Sequence, residues 1–285
     1  MGAEDQTPVL EWQQGRVMRT DAHTNHPRFV KYYAEESASA RARDRAQSIQ
    51  SAVIRERLRR GAATSGLKVA DIGCNAGTQS RVWLETGHTV DGLDISRELV
   101  ELARSRNAPF ADKSSFTVGT ATRLPWADEA YDVCLLPELL EHVEDWESCV
   151  REAVRVLRPG GTILLSTTNV LCPIQQEFTL PCYSWYPAWL KQRVVRRAMS
   201  DSPQLANYAS YPAVNWFSVY GLSRYLAKLS VKSSDRFDLV DLAGRGSLAA
   251  AMIGIIRAFP PARFVAHVLT EGTAIVGEKQ AGVAR

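Results

Sequence analysis

The sequence has few cysteines and no long apolar run. Its 285 residues include five cysteines, which form no C-x-x-C pair. This argues against a disulfide framework and against a zinc knuckle. The longest apolar run, residues 248–256, ends at Arg257 and falls well short of the roughly 18 to 20 residues that span a bilayer. We therefore expect reduced thiols and no membrane-spanning helix.

The first residues show no pattern typical of an export signal, and the chain has no strong charge of either sign. Its first ten residues are acidic, without a basic stretch followed by an apolar one, so we expect a cytoplasmic protein. Lysine and arginine number 34 against 31 aspartate and glutamate residues, a net charge of +3. This balance predicts no nucleic-acid partner. With 45% hydrophobic and 23% charged residues, the composition is that of an ordinary globular protein.

Strand-like and helix-like segments alternate through the middle of the sequence. This alternation is typical of βαβ units in a parallel sheet. The turn residues of 158–161, Arg-Pro-Gly-Gly, separate the last helix of the series from its last strand. The predicted strands are 67–72, 89–95, 115–119, 131–136 and 162–167.

Composition divides the chain into a core and three flanking parts. Residues 63–169 hold the alternating core, and residues 1–62 predict an arm and a surface helix. Residues 170–232, rich in aromatic and then basic residues, predict an insertion that covers a substrate. Residues 233–285 predict strands that complete the sheet. The elements expected in these flanks are helices at 34–60, 218–229 and 247–257 and strands at 236–242 and 273–278.

The most informative residues lie where the first predicted strand turns into the first helix. Gly73 and Gly77 allow a ligand to approach the backbone closely, and Asp71 precedes them. A dinucleotide fingerprint would read G-x-G-x-x-G, but Asn75 takes the place of its second glycine and no third glycine follows at the right step. An acid beside this turn disfavours a pyrophosphate and favours an ammonium group.

A second acid, Asp94, ends the next predicted strand. A carboxylate at this place can accept hydrogen bonds from the two hydroxyls of a ribose. Alone, Asp94 is equally well explained as a solvated acid at a strand end. Paired with Asp71 at this spacing, it favours a nucleoside that has a cationic tail.

From residue 67 to about 169 the sequence resembles the class I S-adenosylmethionine-dependent methyltransferases, in particular methyltransferase type 11 and the ubiquinone-pathway O-methyltransferases. The motifs stand in the family order: DIGCNAG, VDGLDIS, FTVGTATRLPWADEAYDVC, LLPELLEHVED and VRVLRPGGTILLSTTN. The resemblance implies an α/β, Rossmann-like fold with a seven-stranded, mainly parallel, doubly wound sheet. This chain adds an N-terminal helical arm and an aromatic-rich insertion.

The resemblance further implies S-adenosylmethionine as cofactor, bound by residues at the strand ends. The acid and glycines of the first motif line its methionine and sulfonium end, Asp94 holds the ribose, and residues after Gly119 edge the adenine. The family often has an acid after that glycine where this chain has Thr120, so a hydroxyl or a backbone carbonyl would bind the adenine. The implied set is Asp71, Gly73, Asn75, Gly77, Asp94, Ile95, Thr120, Ala121 and Pro137.

A possible reaction centre follows the fourth predicted strand. Pro137 suits the first turn of a helix. If that helix continued through Glu138, Glu141 and His142, the spacings i, i+3 and i+4 would place all three side chains on one face. By resemblance to the ubiquinone-pathway enzymes the three bind a metal such as Mg²⁺. Two alternatives stay open: His142 acts as a metal-free general base, or the residues are structural.

The predicted activity is methyl transfer to a small-molecule acceptor, with the hydroxyl oxygen of an apolar or aromatic substrate as the main expectation. N- or C-methylation and a non-catalytic binding module are the alternatives. The aromatic residues of the insertion predict either a roof over the acceptor or the insertion's own core. Residues 183–197 place aromatic residues before basic ones, which suits peripheral contact with anionic lipid headgroups, although a solvated helix face is an equal explanation. No pattern indicates an oligomeric state.

Overall fold

The computed structural model describes residues 11–13, 16–18, 34–35, 37–175, 177–206, 213–242 and 246–281. Most of the predicted N-terminal arm lies outside these residues. Within it, strands β1 (Glu11–Gln13) and β2 (Arg16–Met18) pair antiparallel.

The main body is a seven-stranded sheet with the order β5-β4-β3-β6-β7-β9-β8. Strands β3 to β7 are parallel, and β9 runs antiparallel to both of its neighbours. The predicted mainly parallel, doubly wound sheet is confirmed. The strands are β3 (Lys68–Ile72), β4 (Thr89–Asp94), β5 (Ser114–Val118), β6 (Tyr131–Pro137), β7 (Leu157–Thr168), β8 (Val231–Asp235) and β9 (Gly272–Lys279).

Helices cover both faces of the sheet, because alternate strand residues point to opposite sides. Cys134 and Leu136 belong to a core under the fourth and sixth helices, whereas Val133 and Leu135 belong to a core under the first two. The helices are α1 (Ala40–Arg59), α2 (Thr78–Glu85), α3 (Arg97–Arg106), α4 (Trp146–Val156), α5 (Ala188–Met199), α6 (Val219–Lys228), α7 (Ser247–Ala258) and α8 (Pro260–Val268).

The elements after residue 168 differ in part from the prediction. The strand expected at 236–242 lies earlier, at β8, because Val231 enters the main core while its backbone pairs with Lys279. The apolar helix near 247–257 is confirmed as α7. Helix α8 was not predicted; two prolines at its start interrupt the apolar pattern but fit the first turn of a helix.

The predicted turn at 158–161 is part of β7. The partner residue of Tyr131 is Leu157 and that of Val133 is Thr162, so the turn residues form an irregular stretch between the two pairs. Gly160 there has a positive φ of 73°, as a glycine turn requires.

Across the described residues, no single helix is both long and apolar enough to cross a membrane. Helices α7 and α8 reach the required apolar length only as a pair, and the pair is bent by 109°.

Candidate functional site

The turn between β3 and α2 is built from three residues in the left-handed backbone region. Gly73 and Gly77 both have φ of 79°, and Asn75 between them has φ of 49°. Asparagine is one of the few residues other than glycine that enter this region at low cost. The structure thus explains why Asn75 can replace the middle glycine of the motif. A side chain on Gly77 has no room, since its Cβ would lie 2.5 Å from the Asn107 amide nitrogen.

Hydrogen bonds attach this turn to the end of β4. The backbone N–H groups of Gly73 and Cys74 donate to the Leu93 carbonyl at 2.8 and 3.0 Å. Asp94 accepts from the Asn75 N–H at Oδ2 and from the Ser96 N–H at Oδ1, each at 2.9 Å. Burial raises the pKa of Asp94, although these backbone donors favour its charged form. Because a carboxylate has about four acceptor positions, Asp94 can still accept hydroxyls of a ribose.

Asp71 is fully buried beneath the turn. Its Oδ2 accepts a 2.6 Å hydrogen bond from the Ser80 hydroxyl, while Oδ1 has no hydrogen-bond partner among the described residues. Burial raises the pKa of Asp71 to about 6. A cationic group near this turn would favour the ionised carboxylate. These residues therefore fit the ammonium end of an amino-acid-bearing nucleoside.

The remaining predicted cofactor residues lie along the same sheet edge. Ile95 is 46% exposed directly after Asp94, which offers an apolar surface to a nucleobase. Thr120 follows β5 and shares a 2.8 Å hydrogen bond with the Thr122 hydroxyl, next to the half-buried Ala121. Pro137 ends β6. The strands β5, β4, β3 and β6 are consecutive neighbours, so the sheet brings the whole predicted set together at its carboxyl edge.

The helix predicted from Pro137 is wrong. Residues 138–142 form turns, and Glu138 has a φ of 50°, a conformation that a right-handed helix does not contain. The Glu138 N–H donates to the Ser166 carbonyl at 2.8 Å, and the Ser166 hydroxyl donates to Glu138 Oε1 at 2.8 Å. Bonding to β7 thus replaces the first turn of the helix.

As a result, the proposed metal ligands do not share one face of a helix. Glu138 is exposed at the carboxyl edge of the sheet, whereas Glu141 is buried and its Oε2 accepts from the Thr167 hydroxyl at 2.8 Å. His142 is half-buried. In the described part of the chain, no three His, Cys, Asp or Glu side chains form a group that could hold a metal ion. The metal site predicted from Glu138, Glu141 and His142 is therefore not assembled.

Glu141 lies in a strongly negative environment. Burial, and then the negative charges of Glu138 and Glu177, raise its pKa well above the usual range. Burial and the charge of Glu138 also raise the pKa of Glu177. Glu177 was not predicted from the sequence, because it belongs to the insertion and approaches the other two glutamates only in the folded chain.

Asn215 is a second residue that sequence reasoning missed. Its side-chain amide donates to the carbonyls of Leu140 and Val143 at 3.0 and 2.7 Å. The Glu141 carbonyl in turn accepts from the Val214 N–H at 2.8 Å. The chain after the insertion therefore holds the 138–142 loop in place.

Most aromatic residues of the insertion form a small core of their own. Phe178 and Tyr183 stack with ring centroids 3.8 Å apart, and Trp216 packs edge-on against Tyr183 at 5.4 Å. Trp185 and Trp189 differ, being 56% and 64% exposed. The buried aromatic residues that could have roofed the acceptor therefore form the core of the insertion instead.

The turn of residues 73–77, where we expect the cofactor and which we call the cofactor turn, is also next to the loop that follows β6. A Cβ on Gly73 would lie 3.0 Å from Leu139 Cδ1, so the two segments touch at the sheet edge. The sheet order and the acid-and-glycine turn are those that the resemblance to class I S-adenosylmethionine-dependent methyltransferases predicts. Residues 70–165 match the family described as Methyltransferase domain, and the resemblance is confirmed for this part of the chain.

This chain is similar to curated relatives over part of its length and, in fold, to a solved structure. Methyltransferase GfsG of Streptomyces halstedii is 38% identical over 107 residues, which are 36% of this chain and 38% of that protein. A demethylmenaquinone methyltransferase of Tropheryma whipplei (strain Twist) is 28% identical over 174 residues, 60% of this chain and 69% of that protein. The match to the first relative spans well under two thirds of its length.

The solved structure is that of Haemonchus contortus phosphoethanolamine N-methyltransferase 2 in complex with S-adenosyl-L-methionine. It superposes with a TM-score of 0.57 at 16% identity, covering 94% of this chain and 61% of that one. At this identity the likeness concerns the fold.

Proposed function

We propose that this chain binds S-adenosylmethionine at the carboxyl edge of its sheet and transfers the methyl group to a small, lipophilic acceptor. The observation on which this rests is the left-handed turn of residues 73–77, tied to Asp94 at 2.9 Å through the Asn75 N–H. In this arrangement the Asp94 carboxylate lies beside the exposed Ile95. The carboxylate can then bind a ribose, and the isoleucine side chain can pack against a base.

When bound, the cofactor supplies a methyl group that its sulfonium already activates. The protein's contribution is alignment and the exclusion of water, which together are worth roughly 7 to 11 kcal/mol of the barrier. Asp71 favours a cationic amino-acid tail, and Asp94 fixes the ribose. The 138–142 loop, held by Asn215, closes the edge of the cleft nearest the turn.

For the acceptor atom we favour a hydroxyl oxygen. Methylation of a hydroxyl requires removal of its proton, and the half-buried His142 is a side chain of the type most used for that step. The exposed Glu138 carboxylate, at the carboxyl edge of the sheet, orients the hydroxyl by accepting its hydrogen bond. Glu141 is buried and held by Thr167, so it acts as a positioning residue for this loop.

One observation favours a second candidate, N-methylation. The charge of Glu138 raises the pKa of both Glu141 and Glu177, so the three carboxyl groups lie near one another, and a cluster of this kind attracts a protonated amine. A panel of phenol, catechol and primary-amine acceptors with labelled S-adenosylmethionine separates the two candidates. Label on the phenolic compounds alone supports the oxygen proposal, and label on amines alone contradicts it.

Cofactor binding is tested by calorimetry with S-adenosylmethionine, S-adenosylhomocysteine and NAD. We expect both sulfur nucleosides to bind and NAD not to bind. Asp94→Ala removes charge-assisted hydrogen bonds worth roughly 1.5 to 3 kcal/mol and should weaken binding about ten- to a hundredfold. The control is Asp112→Ala at an exposed site. Unchanged affinity in Asp94→Ala would refute the ribose role, and binding without turnover on any acceptor would indicate a non-catalytic module.

A further inference from the structure

Helix α7 exposes its apolar face. The side chains of Leu248, Met252 and Ile255 are 75%, 56% and 57% exposed, and α7 has no buried residue. Their spacing, i, i+4 and i+7, places them in one stripe. Surface helices ordinarily turn such a stripe toward the core. Here nothing in the described part of the chain covers it.

The cationic side chains of the same two helices point the opposite way, into the protein. Arg257 of α7 donates to three backbone carbonyls of residues 237–240. Arg263 and His267 of α8 both bind the carboxylate of Asp235, each at 2.8 Å. These bonds fix the orientation of both helices. The apolar stripe therefore faces outward as part of the folded structure.

The exposed apolar surface continues to the edge of the active site. Trp185 donates from its indole N–H to the Val170 carbonyl at 2.7 Å, and Asn169 donates to the His267 carbonyl at 2.8 Å. Both segments thus attach just beyond β7, at the sheet edge that holds the cofactor turn. We call this surface the apolar rim, formed by Trp185, Trp189, Leu248, Met252, Ile255 and Leu269.

The two segments that form the apolar rim carry basic but no acidic residues, and the exposed Asp201 and Glu271 directly follow them. Residues 183–200 and 246–270 contain no aspartate or glutamate, although the chain has 31 such residues. Arg193, Arg196 and Arg197 of α5 are exposed and line one depression of the surface, on the helix that also bears Trp189. Exposed apolar side chains beside arginines are the combination that binds anionic lipid headgroups.

The dimensions favour a helix that lies in the membrane surface. Helix α7 has 12 residues and is therefore about 18 Å long, whereas the hydrocarbon core is about 30 Å thick. A second copy of the chain fits the apolar rim less well than a bilayer does. A two-fold contact would bring the arginines of α5 near their own copies, without acidic partners in either segment.

We propose that the apolar rim docks on an anionic lipid bilayer, with its apolar side chains at the boundary of headgroups and acyl chains and the α5 arginines against headgroup phosphates. In this orientation the carboxyl edge of the sheet faces the lipid. A lipophilic acceptor then reaches the cleft without crossing water. The docking itself depends neither on the acceptor nor on methyl transfer.

The test is co-sedimentation of the full chain with vesicles of phosphatidylcholine alone and of phosphatidylcholine with phosphatidylglycerol. We expect binding to the anionic vesicles at low salt, less binding at high salt, and little binding to phosphatidylcholine alone. Met252→Ser with Ile255→Ser should weaken partitioning about tenfold or more. Arg196→Gln and Arg197→Gln should each weaken it by about fivefold.

The matched control is Leu58→Ser, an apolar helix residue of α1 that is 61% exposed outside the rim. It should bind vesicles as the wild type does, and thermal unfolding should show that every variant is folded. Absence of wild-type binding to anionic vesicles at low salt overturns the proposal, as does unchanged binding by the Met252/Ile255 variant. A lipid-free dimer that this variant dissociates would also overturn it, because the rim would then be an interface between copies.

Discussion

The Asp94 carboxylate accepts a hydrogen bond from the Asn75 N–H at 2.9 Å. The acid proposed to hold the ribose therefore also holds the turn proposed to hold the methionine end. Two parts of the proposed cofactor site are coupled through this bond. A change at either residue should affect the whole nucleoside, since the turn and the strand end keep their relative positions through it.

Substitution of Asn75 tests the backbone requirement of the turn. Asn75→Gly should keep cofactor affinity and stability close to the wild type, because glycine adopts a φ of 49° without strain. Asn75→Ala should lower the free energy of unfolding by about 1 to 2 kcal/mol and weaken S-adenosylhomocysteine binding. Chemical denaturation and calorimetry measure the two effects. Equal behaviour of the glycine and alanine variants would show that the left-handed conformation is not required.

The pH dependence of cofactor binding tests the role of Asp71. Burial raises its pKa to about 6, so the free protein holds this carboxyl neutral below that pH and charged above it. Affinity for a cationic ligand should rise as the pH increases from about 5 to about 7, because the ionised form predominates. In Asp71→Asn this part of the pH dependence should disappear. A parallel pH profile in the variant would assign the effect to another group.

Asp71 also affects folding stability, with the opposite trend. Its pKa is higher in the folded chain than the roughly 3.9 of an unfolded aspartate, so the folded state binds more protons between these values. The contribution of Asp71 to the free energy of unfolding is therefore greatest below about pH 4, and it falls as the pH rises through about 6. The difference in stability between wild type and Asp71→Asn, measured across this range by urea denaturation, should show this trend.

Chelation tests whether the reaction needs a metal. Because no three His, Cys, Asp or Glu side chains in the described part of the chain form a group that could hold a metal ion, we expect turnover to be unaffected by EDTA and by added Mg²⁺. His142→Ala should lower kcat about a hundredfold or more if the imidazole is the base, with S-adenosylhomocysteine affinity unchanged. If EDTA abolished the activity and Mg²⁺ restored it, the result would support a metal requirement and contradict this prediction.

The cluster that anchors α8 gives a stability prediction. Burial raises the pKa of Asp235, but hydrogen bonds from His267 and Arg263 outweigh it and hold that pKa below its usual range. Asp235→Asn should destabilise the chain by about 3 kcal/mol, since it leaves buried partners without their anion. The stabilisation is present above about pH 4 and is lost as the pH falls toward the lowered pKa.

Its control is Asp128→Asn. Asp128 pairs with Arg155 at 2.6 Å, but its side chain is 74% exposed, so the loss should be about 1 kcal/mol or less. Urea denaturation of both variants gives the comparison. Equal losses would mean that burial of the Asp235 cluster contributes nothing.

The sequence by itself determined the core strands and the position of the turn of residues 73–77. Short apolar runs predict β3, β4 and β6 locally, and the glycines of residues 71–77 allow the left-handed backbone that the turn adopts. Asp94 was predictable for the same reason, because a parallel sheet brings consecutive strand ends to one edge. Ser96 and Asp145 cap their helices as short-range hydrogen bonding dictates.

Only the tertiary structure decided the loop at 138–142 and the outward face of α7. The sequence at 138–142 has helical spacing. The hydrogen bonds between Glu138 and Ser166 of β7 nevertheless outweigh a short helix, which has little stability of its own. Likewise, an apolar helix ordinarily faces the core. Arg257 and the Asp235 cluster, bonded across long stretches of chain, turn α7 and α8 so that their apolar side chains face solvent.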